Sequence, residues 1–150
     1  MSVLPIPSVV LPPDWPRRSD AARGVVVTAR APHVPQSGWR PEITLRRVRV
    51  PEPDLEAWRT RADAELDAAL QRVQVQELDS FDLLGEPVRF RRFLHREGLL
   101  DVVAEQWCWW SDVPALGRLG TTLTCTAACT DYEEWCDLFE AVAESVELPG

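Results

Sequence analysis

Cys125 and Cys129 stand four residues apart, a C-x3-C spacing that in other settings holds a metal or runs redox chemistry. Here the pair lies in TTLTCTAACT, a threonine-rich run that reads as a strand. Four residues of strand span about 13 Å, too far for a direct disulfide or for two ligands on one zinc. Core thiols are the better reading, since free cysteine behaves as a small buried hydrophobe. The two histidines, His33 and His95, fall in a loop and in an arginine-rich strand, and they make neither a metal set nor a triad. No serine has a nucleophile-elbow context, and no glycine-rich phosphate loop is present. Carboxylates are plentiful, but those in the expected helices fall on solvent faces. The expectation is a non-enzymatic chain with no catalytic residue, no metal and no cofactor.

Two clusters remain. Arg89, Arg91, Arg92 and Arg96, with Arg46, Arg47 and Arg49, concentrate positive charge on two strands. The plain reading is a solvated sheet face or a charged edge that resists pairing with other chains. The sharper reading is a site for an anion or an acidic partner. The second cluster is Trp107, Trp109 and Trp110. Side chains alternate along a strand, so Trp107 and Trp109 share a face with Val103, and Trp110 shares the other with Val102, Ala104 and Cys108. If helices cover both faces, these indoles are core. If one face is open, it offers tryptophan to a partner, where that residue is a frequent hot spot. Trp107 and Trp109, with Arg89 and Arg91, are therefore the candidate partner-binding residues.

These residues must be positioned by an antiparallel sheet. Residues 1–23 read as an extended lead-in, with Ser8–Leu11 as a short edge strand stopped by Pro12-Pro13, and Trp15 plugging the end of the core. Gly24–Ala31 and Ile43–Val50 are strands on either side of a Pro/Gly/Ser loop. The apolar alternation of the second slips near Arg46-Arg47, which predicts a bulge there. Pro51–Asp54 opens a helix, and Leu55, Trp58, Ala62, Leu66, Ala69 and Val73 form its apolar stripe over about five turns. Val75–Leu84 and Pro87–Arg96 are strands, and Glu97-Gly98 turns into the long hairpin of Leu99–Thr130, with a loop at Ser111–Arg118. Thr130 and Glu133 form a capping box for a last helix, whose stripe is Tyr132, Trp135, Phe139, Val142 and Val146. The order is β-β-β-α-β-β-β-β-α: an α+β fold with an antiparallel sheet of about six or seven strands and two amphipathic helices.

Composition sets the outer limits. At 150 residues, 45% hydrophobic and 27% charged, residues 1–150 read as one globular domain. A net charge of −8 opposes binding to nucleic acid or an anionic membrane. No stretch approaches the roughly 20 apolar residues of an integral membrane segment. The early apolar run is short and broken by proline, unlike a secretory signal, so a cytoplasmic location with reduced cysteines is expected.

VVLPPDW, the ARAP segment, RPEITLRRVRV followed by a helix, the strand of Leu99–Trp110, and TTLTCTAACT running into a capped helix together resemble the LpqN/LpqT family of actinobacteria. The resemblance spans roughly residues 7–148 and implies the PsbP-like, or Mog-like, sandwich of sheet and helices. Many members of that family are lipoproteins with a lipid-bearing cysteine. The earliest cysteine here is Cys108, so the resemblance is to a cytoplasmic relative. The wider superfamily is mostly non-enzymatic and includes photosystem accessory subunits, a Ran-binding protein and type VI secretion chaperones. It implies a protein-binding adaptor or chaperone for a secreted or membrane-destined effector, with homodimerisation as a further expectation. The other reading is a small-molecule or lipid-binding module, with an apolar pocket between sheet and helix near Trp58 and Trp135.

Overall fold

The β-branched and aromatic residues of Leu99–Thr130 extend into two long strands because each can bury alternate side chains on opposite faces. The computed structural model describes residues 6–149, so the first five residues of the expected lead-in lie outside the described residues. The elements are β1 (Arg17–Asp20), β2 (Val25–Arg30), β3 (Glu42–Arg49), α1 (Leu55–Ala69), β4 (Gln71–Leu83), β5 (Glu86–Glu97), β6 (Leu100–Val113), β7 (Gly117–Ala128) and α2 (Tyr132–Glu144). The strands form one seven-stranded antiparallel sheet in the order β1-β2-β3-β7-β6-β5-β4. The expected α+β architecture is therefore the observed one. No helix among the described residues is long and apolar enough to cross a membrane.

Several boundaries differ from expectation. Ser8 makes only an isolated bridge to Glu147, and the first strand is Arg17–Asp20. The bulge lies in β2, between Val25 and Val27, while β3 pairs with β7 without interruption from Glu42 to Arg49. The slipped alternation has another cause: Arg47 lies on the same face as Ile43 and Leu45 and is itself buried. Val73 belongs to β4, because Leu70 leaves the helix with extended dihedrals. The β6–β7 turn shortens to Pro114–Leu116 as the strands pair out to Val113 and Gly117. Thr130 does not cap α2: it lies in a 3-10 turn, Cys129–Asp131, and Asp131 takes the cap position without a side-chain bond.

The helices lie on opposite faces. Phe139, Val142 and Ala143 of α2 are buried with Ile43, Leu45, Val88, Phe90, Trp107, Trp109, Leu123, Cys125 and Ala127 in the main core. Trp15 plugs that core, meeting Trp135 edge-on at 5.6 Å between ring centroids. On the other face, Trp58 is the one deeply buried apolar residue of α1, packed with Val50 and Cys108. The rest of the expected α1 stripe is only half-buried or, at Ala69, exposed.

Trp58 reaches the sheet at Gly120, where an added Cβ would sit 2.5 Å from Cζ2 of the indole. Gly120→Ala is expected to destabilise the protein by about 1–3 kcal/mol through overpacking. In a Trp58→Leu background the same change is expected to cost much less, because the clash is pairwise. Urea unfolding of the four proteins measures the cycle, and equal costs in both backgrounds would rule out this contact as the reason for glycine.

Candidate functional site

The structure brings together only part of the expected partner-binding set. Trp107 and Trp109 are 5% and 3% exposed and lie under α2, so that face is covered. Trp110 points to the other face and donates from Nε1 to the Glu52 carbonyl at 3.1 Å. Arg89 and Arg91 also lie on the α1 face, opposite in register to Cys108 and Gln106. Arg89 donates to Glu56 at 2.6 Å, while Arg91 reaches Asp63 at 3.3 Å and Asp67 at 2.8 Å. Their acidic partner is thus α1 of the same chain. The four cysteines are free thiols: Cys125 is buried in β7, Cys129 is exposed, and burial pushes the Cys125 thiol well up. His33 is exposed, whereas His95 is buried beside Phe93, which lowers its pKa. Trp58 and Trp135 lie on opposite faces of the sheet, so no single pocket touches both. A groove of about 450 Å³ does run beside Trp58, between Leu66 of α1 and Thr122 and Thr124 of β7. Of its four arginines, Arg59 and Arg61 are paired with carboxylates, while Arg46 and Arg49 donate to the Arg23 and Leu116 carbonyls.

The main functional candidate is on the α2 face. β6 alternation that buries Val103, Trp107 and Trp109 also buries Glu105, which is 6% exposed. It forms part of a half-open cavity of about 290 Å³ between the sheet and α2. Phe90 and Trp107, with ring centroids 5.0 Å apart, supply aromatic wall, and Phe81 of β4 extends it. α2 contributes Tyr132 and Cys136. The Tyr132 hydroxyl donates to Glu105 Oε2 at 2.9 Å. Arg92, directly opposite Glu105 in the β5–β6 register, approaches the same oxygen at 4.0 Å. Oε1 accepts no hydrogen bond from the described residues. Burial raises the Glu105 pKa, the Tyr132 bond and Arg92 oppose the rise, and Glu140 and Glu77 add to it. Tyr132 is pushed up to about 12, by burial first and by Glu105 second.

No family model and no curated protein matches the sequence. Solved structures do. LpqN of Mycobacterium tuberculosis, described as involved in cell envelope biogenesis, is 15% identical, with 96% of this chain and 83% of that chain covered and a TM-score of 0.73. The chain has the LpqN/PsbP-like fold. CyanoP, the PsbP of Synechocystis, is 13% identical over 96% of this chain and 87% of its own, with a TM-score of 0.61. PA94 of Pseudomonas aeruginosa, a putative regulator of unknown function, is 11% identical over 82% and 81%, with a TM-score of 0.63. At these identities the likeness concerns the fold alone.

Sequence reasoning did not single out Glu105; it placed Arg92 only in the arginine cluster and Tyr132 only in the apolar stripe of the last helix. A usable signal was present: once Val103, Trp107 and Trp109 are assigned to one buried face, Glu105 is the carboxylate of the same parity. Buried carboxylates are rare enough to mark a site.

A carboxyl whose pKa is raised in the folded state is better protonated there than in the unfolded chain. Its stabilising contribution is complete below the ordinary value of 4.5 and is lost as pH rises through the raised one. Glu105→Gln stays neutral throughout. Its stability advantage over the native protein is therefore expected to widen as pH rises from the ordinary value of 4.5 through the raised one. Urea unfolding across that range checks this, with Tyr132, Arg92, Glu77 and Glu140 intact in both proteins. Parallel pH profiles would show that Glu105 titrates alike in both states.

Proposed function

We propose that the protein is a non-enzymatic binding module that takes a small ligand into the cavity between the sheet and α2. The observation that carries this reading is Glu105, a buried carboxylate at an aromatic wall inside about 290 Å³ of space. Small-ligand sites have this make-up: apolar and aromatic surface with a few placed polar groups that orient the guest. The surroundings favour binding over catalysis. With its pKa near 12, Tyr132 is a hydrogen-bond donor at neutral pH rather than a base. Cys136 donates its thiol to the Glu133 carbonyl, and Asp137 Oδ1 lies 3.9 Å from the sulfur.

The test is to fill the space. Cys136 is half-buried on α2 and lines the cavity, so Cys136→Phe should occupy it while the buried core of α2 is untouched. Ligand-observed NMR with a small-molecule library should give binders of the native protein that the folded Cys136→Phe variant no longer holds. A library without such binders, or binders indifferent to the plug, would sink the reading.

The adaptor reading keeps support at a different place. β4 is an edge strand paired only with β5, and its Val75 and Leu78 are 44% and 51% exposed. An extended segment of a partner protein can add along such an edge, with pockets for alternate side chains. Under this reading, a protein recovered with the tagged native chain from its host should be lost with a folded Val75→Lys, Leu78→Lys variant. Equal recovery would remove β4 as the docking edge, and a concentration-dependent dimer in ultracentrifugation that the variant abolishes would identify the partner as a second copy.

A further inference from the structure

We infer that the ligand of the Glu105 cavity is a small organic cation, an ammonium or guanidinium group carried on a short apolar body. This rests on the cavity being a ligand site, and it adds the chemical class.

The cavity carries an excess of negative charge. Four carboxylates line the cavity: Glu105 within it and Glu77, Asp137 and Glu140 around it. One guanidinium, Arg92, faces them. Arg92 is also divided, lying 3.9 Å from Glu77 and 4.0 Å from Glu105 and donating to Gln76 at 3.3 Å. It cannot make a close bidentate pair with Glu105 while it spans these partners. Glu105 thus takes one good hydrogen bond, from Tyr132, and its Oε1, with no donor among the described residues, is not an enclosed orphan but opens to the cavity. An N–H of a bound cation would supply that donor and the missing positive charge together.

Trp107 and Phe90 present ring surface beside the carboxylate. Aromatic faces attract cations through the ring quadrupole, most strongly where water is excluded. The same walls are compatible with the apolar body of the guest. An anion would meet the carboxylate set with the wrong sign, and a neutral guest would leave the charge deficit unchanged. About 290 Å³ suits a guest of roughly ten heavy atoms, given that a water occupies about 30 Å³ of liquid.

The experiment uses the full chain and matched pairs of probes. Phenethylammonium is compared with phenethyl alcohol, and choline with its neutral carbon isostere dimethylbutanol; phenylpropionate serves as the anion. Saturation-transfer NMR and calorimetry measure binding to the native protein, Glu105→Gln, the Cys136→Phe plug and the rim variant Asp137→Asn, Glu140→Gln. The rim positions are exposed, so that variant tests the charge argument without touching the core. The expected result is binding of a cation that the neutral and anionic probes do not match. Glu105→Gln should weaken it at least about tenfold, equivalent to about 1.4 kcal/mol, with a smaller loss in the rim variant. The plug should abolish it. Neutral or anionic probes that bind as well and are displaced by the plug would overturn the cation while leaving the ligand site standing. Cation binding indifferent to Glu105→Gln would overturn it as surface attraction. No probe or library compound blocked by the plug would remove both the cation and the site.

Discussion

The register of β6 is the constraint on which the rest of the molecule depends. The strand pairs with β5 from Arg89 opposite Cys108 to Glu97 opposite Leu100, and with β7 from Val102 opposite Ala128 to Val113 opposite Gly117, without a break on either side. Side-chain parity in a strand is strict, and a slip of one residue exchanges the two faces. Because the helices lie on opposite faces, that one parity assigns both of them their surface. α2 receives Val103, Trp107 and Trp109, and α1 receives Cys108 and Trp110. A slipped strand would bring Cys108 and Trp110 under α2 and turn Glu105 away from Tyr132. The hydrophobic requirement of both faces and the polar partner of Glu105 are satisfied by the same register.

The two helices are attached by different physics. α2 buries Phe139, Val142 and Ala143 in a continuous apolar core. α1 inserts one indole against Gly120, adds Leu55 at the edge of that small cluster, and also meets the sheet through charge, with Glu56 on Arg89 and with Asp63 and Asp67 on Arg91. Arg91 is 3% exposed, but the Glu56 and Asp67 side chains are 67% and 57% exposed, so water screens their side of these contacts. A pair screened in this way adds only about 0–1 kcal/mol. Such a contact selects one seating of α1 more than it strengthens it. It also accounts for a helix whose apolar stripe is weakly used: Ala62 and Leu66 border a groove over Thr122 and Thr124 rather than a packed interface.

Much of the fold was legible in the residues, and the parts that were not have identifiable causes. Periods of two and of 3.6 gave the strands of the long hairpin and the stripe of α2, because each element buries one clear face. Two errors came from residues that break the usual link between polarity and exposure. Arg47 imitates a bulge because it is a buried arginine in an apolar parity. Arg89 and Arg91 imitate an open basic face because their acidic partners lie more than twenty residues away on α1. No local pattern encodes that pairing. The shared face of Trp107 and Trp109 was legible, but whether a helix covers it was left open, since which face a helix occupies depends on the crossover of the chain. β1 carries no apolar signal at all: its four residues, Arg17–Asp20, are all exposed.

Glu105 sits where a protein built only for stability would place an apolar residue. Its neighbours in the two adjoining strands are Arg92 and Cys125, and its face is otherwise that of Val103 and Trp107. Burying a carboxylate there is unfavourable unless hydrogen bonds and opposite charge replace the lost water. Tyr132 and Arg92 replace part of it, and the upward shift in the Glu105 pKa shows that burial still outweighs them. Glu77 and Glu140 deepen the imbalance instead of relieving it. Glu105 lies beside open space and aromatic surface. That combination, rather than the carboxylate alone, is the ground of the proposed ligand site.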